Sequence, residues 1–228
     1  MDDSLLSLIA ANIAFVGSHF AMSHPLRSGM VGTLGEKGFQ AAYSLVSFAT
    51  LAWVYFAFRA APSGTPFWPG FDDISWGIGS LIALLAMVLF AGSLMGRNPA
   101  LPMPGAEQAA RSEPKGVFRV TRHPMMWGFA LWAISHLVAV PTARTLVTAS
   151  AMLVLALVGS HLQDRKKEAL MGEAWQEWES RTSYWPRWGQ LFAAGPLPWA
   201  AGVVLWLLFT WAHIHAAGIP AGIWRWMG

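Results

Sequence analysis

The stretch ISWGIGSLIALLAMVLFAGSLM, residues 74–95, carries no charged side chain from one end to the other. A helix rises 1.5 Å per residue, and roughly 20 apolar residues cross a bilayer core about 30 Å thick. This stretch is therefore read as a transmembrane helix, and the remainder of the chain must live in the same solvent. Working outward, SLLSLIAANIAFVGSHFAM (4–22) and FQAAYSLVSFATLAWVYFAF (39–58) form two earlier spans, the second closed by the breaker cluster APSGTP at 61–66. Beyond residue 95 a short span over 125–140 ends at Pro141, a fifth follows over 145–163, and a sixth covers 197–217. The predicted architecture is all-α: a polytopic membrane helix bundle of about six transmembrane helices, taken as a single domain over 1–228.

Composition supports this. Of the 228 residues 55% are hydrophobic and only 12% charged, against about 25% charged in soluble domains. Fourteen Trp suit two membrane–water interfaces better than a soluble core. With no Cys, disulfides, thiolate metal sites and Cys nucleophiles are excluded. The net charge of +3 is loop charge, and no basic face interleaved with polar contacts marks a nucleic-acid partner. The flank Asp2-Asp3 is not the basic start of a cleaved signal peptide, so the first span is expected to remain as a helix.

Twelve of the fifteen basic residues fall in the loops 23–38, 96–124 and 164–196; Arg59, Arg144 and Arg225 lie on the other side. By the positive-inside rule both termini are expected on the outer, periplasmic side. DRKKEALMGEAWQEWESR (164–181) places Leu170, Ala174, Trp175 and Trp178 at helical spacing, the pattern of an interfacial amphipathic helix on the cytoplasmic side. Residues 96–115, with Pro99, Pro102, Pro104 and Pro114, read as a long loop of the functional or mobile kind. Gly17, Gly77 and Gly79 are expected to be close helix contacts.

Chemistry concentrates in VFRVTRHPMMWGFALWAISH, residues 117–136. Arg122 offers a fork of donors to a carboxylate or phosphate, His123 exchanges protons near neutral pH, and Pro124 suits a helix start. The plainer reading is a snorkelling helix entrance that meets lipid headgroups. Glu168, Glu173 and Glu177 are the expected partners of Arg122. The seven His sort by depth into His19, His24, His123 and His161 near the cytoplasmic ends of spans, and His136, His213 and His215 in the outer half. Axial imidazoles on facing helices are what a haem iron takes. On depth alone, His161 opposite His19 and His213 opposite His136 are the easier pairs. No Ser-His-Asp order, Gly-rich phosphate loop or HExxH pattern is present.

GSHFAMSHPLR (17–27), LGEKGFQAAYSLVSF (34–48), RVTRHPMMWGFALWAISHL (119–137) and GSHLQDRKKEALMGEAW (159–175) resemble the NnrU family of bacterial inner-membrane proteins, which includes a carotene isomerase branch. That resemblance implies haem b with His19 and His136 as axial ligands and Arg122 and His123 in the cofactor region. It also implies an isomerase of a lipophilic polyene or a redox component linked to denitrification, with membrane lipids, a lipophilic small molecule or a membrane reductase as partner. Ala133 stands where the isomerase branch carries a Cys, so ligand exchange through a thiolate is not open to this chain.

The Arg-His-Pro segment and the later GEAW helix also resemble, distantly, the isoprenylcysteine and phospholipid methyltransferases. That second resemblance implies S-adenosylmethionine held near Arg122, His123 and Glu168. A third reading is a non-enzymatic assembly factor for a nitrite or nitric oxide reductase, making contact through the loop 96–116.

Overall fold

The computed structural model describes residues 3–227, and among these every regular element is helical. Helix α1 (Asp3–Ser23) turns through His24-Pro25-Leu26 into α2 (Arg27–Ala60). Gly35, at φ 68° and ψ 170°, breaks α2 into a short entry piece and the span expected over 39–58. Helix α3 (Asp73–Leu94) starts on Asp72, whose carboxylate accepts the N–H groups of Ile74 and Ser75 at 3.0 and 2.9 Å. These are two of the four donors a helix start leaves without partners. After the short α4 (Ala106–Ala110) and a 3₁₀ turn at Gly116–Arg119 come α5 (Pro124–Ala139) and α6 (Ala143–Met171). Then follow α7 (Glu173–Arg181), a 3₁₀ turn at Trp188–Ala194, and α8 (Pro196–Ala217).

Helices α1, α2, α3, α6 and α8 are each long and apolar enough to cross a membrane. The sixth expected span, α5, has 16 residues and is therefore about 24 Å long. It packs most broadly on α3 and then on α6. The chain is thus a polytopic helical membrane bundle. Large apolar side chains such as Leu45, Phe48, Leu81 and Val204 point outward, as lipid solvation requires.

Small residues set the helix separations. A Cβ on Gly79 would lie 3.1 Å from the Ser135 carbonyl oxygen, and one on Gly128 would lie 3.0 Å from that of Ala86, so α3 and α5 nearly touch along their backbones. Gly202 of α8 approaches Val88 of α3 even more closely, its Cβ position 2.7 Å from the Val88 Cα. Close van der Waals approach drives helix association where burial from water cannot. Gly17 and Gly77 depart from expectation: nothing lies within 4 Å of their Cβ positions, because both are on faces turned away from the neighbouring helices.

Two buried clusters result. Leu8, Ala11 and Phe15 of α1 meet Val54 and Ala57 of α2. The larger cluster joins Val88 and Leu89 of α3, Trp127 and Leu131 of α5, and Trp175 and Trp178 of α7. Helix α6 packs against both.

The stretch 164–181 is not one surface helix. Its first half continues α6 to Met171, and the chain turns at Gly172 (φ 52°) before α7 begins. Ala174, Trp175 and Trp178 are buried against the protein, while Leu170 stays exposed. The amphipathic face of α7 therefore covers the bundle's own core.

The loop 96–115 also differs from expectation. The Gln163 amide donates to the Ala100 carbonyl at 2.8 Å and Lys167 Nζ to that of Leu101 at 3.3 Å. Arg181 donates to the carbonyls of Ala110 and Arg111 at 2.8 and 3.1 Å. With Asn98 and Ala100 buried, the loop is a packed cap over α6 and α7.

Candidate functional site

Two groups of polar side chains lie at opposite ends of the bundle. The first is built around Arg122 and His123, where the chain enters α5. The Arg122 backbone N–H donates to the Ser183 carbonyl at 2.8 Å, and Thr121 Oγ1 and Trp127 Nε1 both donate to the Tyr184 carbonyl at 2.8 Å. These bonds fasten the α5 entrance to the segment after α7.

The His123 side chain is fully buried and its Nε2–H donates to Asp164 Oδ1 at 2.6 Å. Arg122 grips the same carboxylate, Nε at 3.1 and 3.0 Å from its two oxygens and Nη2 at 2.6 Å from Oδ2. Nη2 also reaches Glu179 at 3.1 Å, and the guanidinium lies over the Tyr184 ring, 5.7 Å from its centroid. Bidentate Arg–carboxylate geometry is the strong form of such a pair. A cavity of about 590 Å³ opens beside the network, lined by Arg122, His161, Asp164, Glu179, Tyr184 and Trp185 among others.

The acids expected opposite Arg122 are engaged elsewhere. Glu168 pairs with Arg165 at 3.1 Å and Glu177 with Arg111 at 2.6 Å, while Glu173 sits in the first turn of α7. Asp164 on α6 and Glu179 on α7 meet Arg122 instead. Glu168, which the methyltransferase resemblance places near the cofactor with Arg122 and His123, pairs with Arg165.

The second group lies at the far end. His136 of α5 and His213 of α8 face each other with ring centroids 6.1 Å apart. His136 Nδ1–H donates to the Trp132 carbonyl at 2.8 Å and His213 Nδ1–H to that of Phe209 at 2.6 Å, each four residues back in its own helix. A carbonyl only accepts, so each bond protonates Nδ1 and leaves the Nε2 lone pair outward. This is the tautomer in which imidazole binds a metal, its other nitrogen held by a backbone carbonyl. The Trp132 ring packs on His136 at 4.3 Å between centroids.

His19 carries the same lock, Nδ1–H to the Phe15 carbonyl at 2.7 Å, but it faces α2. Its neighbours are the Tyr43 ring at 5.3 Å and Ser47 Oγ, 3.3 Å from Nε2. His19 and His136 are not brought together. His24 reaches the Leu162 carbonyl at 3.2 Å and His123 reaches Asp164, which sets both at one level near the end of α6. His19 is five residues from His24 and His136 thirteen from His123, a depth difference of roughly 12 Å at 1.5 Å per residue.

Two imidazoles with free Nε2 lone pairs on facing helices are a donor set that suits a haem iron. Among the described residues no group of three or more His, Asp or Glu side chains is arranged to hold a metal ion by itself. Of the residues expected to carry chemistry, Arg122 and His123 are brought together and His136 is placed beside His213. Asp164 was not expected; the signal available for it was an acid three residues after His161, at the end of an apolar run.

The architecture is that of a multi-helix membrane protein with imidazoles set into its helix interfaces. The sequence matches the family described as NnrU protein over residues 7–221, and the chain belongs to that family. It is 24% identical over 198 residues to a protein of Zea mays named 15-cis-zeta-carotene isomerase, chloroplastic. The alignment covers 81% of this chain and 50% of the maize protein, so the chain spans about half the length of that relative. No solved structure matches it.

Proposed function

We propose that this chain binds haem b in the membrane and isomerises cis double bonds of a lipophilic polyene. The observation that carries the reading is the pair His136 and His213, 6.1 Å apart, each with Nδ1–H fixed on its own helix and Nε2 free. The family and the similarity to the maize isomerase support the same reaction class. His136 and His213 would hold the haem, whose iron, when bound, would supply a one-electron centre for weakening a double bond.

The chain's own residues perform the remaining tasks. Trp132, whose ring packs on His136 with planes 42° apart, restrains the imidazole. Helices α5 and α8 both pack on α3, and the two imidazoles meet across the seam between them. Outward-facing Leu208 and Phe209 on α8 and Phe129 on α5 give a lipid-soluble chain an apolar approach. A long polyene reaches such a seam from within the bilayer, without crossing water.

The test is the protein expressed with haem supplementation and purified in detergent. Wild type is expected to show a Soret band, H136A to lose it and H213A to lose or shift it. Reduced wild type is expected to convert a 15-cis polyene to its all-trans form, followed by chromatographic separation of isomers. Absence of a Soret band from supplemented wild type overturns the reading. H19A separates the alternatives: loss of the band there, with H213A unchanged, would transfer the second ligand to α1.

A further inference from the structure

A second cavity, of about 580 Å³, lies at the basic end and takes no part in the chemistry above. It is lined by Lys115, Arg119, Arg181, Arg187 and Gln190, with Glu113 the acid on its rim. Four cations against one carboxylate is a strong excess, and the carboxylate is poorly placed to offset it. The Glu113 side chain is 78% exposed and touches only the edge of Arg181, at 3.5 Å.

The four cations are not equivalent. Arg181 is fixed by the carbonyls of Ala110, Arg111 and Glu177, at 2.8, 3.1 and 3.1 Å, and Arg187 by that of Thr182 at 3.2 Å. These bonds hold two guanidinium groups in place; Arg181 also lies 3.7 Å from a Glu177 carboxylate that it shares with Arg111, and Arg187 forms no ion pair among the described residues. Lys115 and Arg119 are exposed and form no ion pair among the described residues.

The surroundings say where the anion comes from. The 3₁₀ turn Trp188–Ala194 forms one wall of the cavity and runs directly into α8. Its Trp188 and Phe192 are exposed, as is Leu197 at the start of α8. Phe192 stacks on Trp199 with ring centroids 5.6 Å apart and planes 15° from parallel. Exposed aromatic rings next to basic side chains at a helix mouth are the chemistry of the membrane–water boundary. A phosphate in this cleft would have apolar protein surface beginning within one turn of it, along which acyl chains can lie.

We propose that the cleft is a binding site for the phosphate-bearing headgroup of an anionic lipid, received by Lys115, Arg119, Arg181 and Arg187. Basic pockets between membrane helices take such headgroups by charge and by N–H donors to phosphate oxygens. The site is separate from the His136–His213 pair, and its occupancy does not depend on that reading.

The experiment measures retained lipid. Protein purified in mild detergent is mixed with micelles containing phosphatidylglycerol or phosphatidylcholine, and the bound lipid is counted by native mass spectrometry. Wild type is expected to retain phosphatidylglycerol and to release phosphatidylcholine. K115Q/R119Q is expected to weaken phosphatidylglycerol retention about tenfold or more. E113Q, which removes the opposing carboxylate, is expected to strengthen retention, and it keeps the test decisive if the double variant loses its helical circular dichroism.

Equal retention of the two lipids overturns the proposal. So does unchanged retention in folded K115Q/R119Q, or in E113Q. If inorganic phosphate binds lipid-free protein as tightly and strips the lipid, the ligand is the free anion and the lipid assignment falls.

Discussion

The two ends of this bundle treat their polar groups in opposite ways. At the basic end Arg122, His123, Asp164 and Glu179 are engaged with one another: one carboxylate accepts from a buried imidazole and from a bidentate guanidinium, and a tyrosine ring lies beneath. At the far end His136 and His213 each satisfy one nitrogen on their own backbone and leave the other open. In a low-dielectric interior a polar group without a partner is costly. The first network is held as structure by these bonds, and within it His123 Nδ1 is buried without a hydrogen-bond partner among the described residues. The facing imidazoles at the α5–α8 seam are where the proposed cofactor would bind.

This contrast can be broken from either side. The largest effect is expected at the closed end. D164A strands a fully buried His and leaves Arg122 with Glu179 alone, and breaking such a buried pair costs about 3–5 kcal/mol; thermal unfolding in detergent should show the loss. D164A with wild-type stability would mean that the network is not structural. Next comes G79A, which places a methyl 3.1 Å from the Ser135 carbonyl oxygen and 3.2 Å from Ala139 Cβ, one turn or less from His136. Forcing α3 and α5 apart there should cost about 1–3 kcal/mol, and in the haem-loaded protein should perturb the absorption spectrum as well.

H136A should be nearly neutral for the fold, within about 1 kcal/mol by the same unfolding measurement. A larger destabilisation would make His136 a packing residue like His123. The smallest effect concerns acid. The Asp72 carboxylate is held below its ordinary range chiefly by the Ser75 backbone N–H and also by the Ser75 hydroxyl. A depressed folded value means stabilisation present above the unfolded value, near pH 3.9, and lost as pH falls through the folded one. The helical signal of wild type should decline slightly in that acid window, and the decline should be smaller in D72N.

Much of this was legible in the sequence because membrane helices announce themselves by length and lack of charge. The six apolar helices, five of them long enough to cross a membrane, the Arg122–His123 entrance and the His213–His136 match in depth all follow from counting residues along apolar runs. What stayed hidden depends on breaks and on distant pairing. Gly172 divides a charged run that reads as continuous; Trp175 and Trp178 lie in the core, and Glu168 and Glu177 pair with Arg165 and Arg111. Asp164 joins residues 41 and 42 positions earlier, a pairing no local pattern encodes. The loop 96–115 reads as free for lack of periodicity, yet its carbonyls are taken by Gln163, Lys167 and Arg181.

The most direct measurement is the absorption spectrum of haem-supplemented wild type beside H136A, H213A and H123A, each purified in detergent. The open end is expected to govern the cofactor: the Soret band present in wild type, lost in H136A, lost or shifted in H213A, and retained by whatever fraction of H123A folds. A band that survives in H136A and H213A and vanishes in folded H123A would contradict the account.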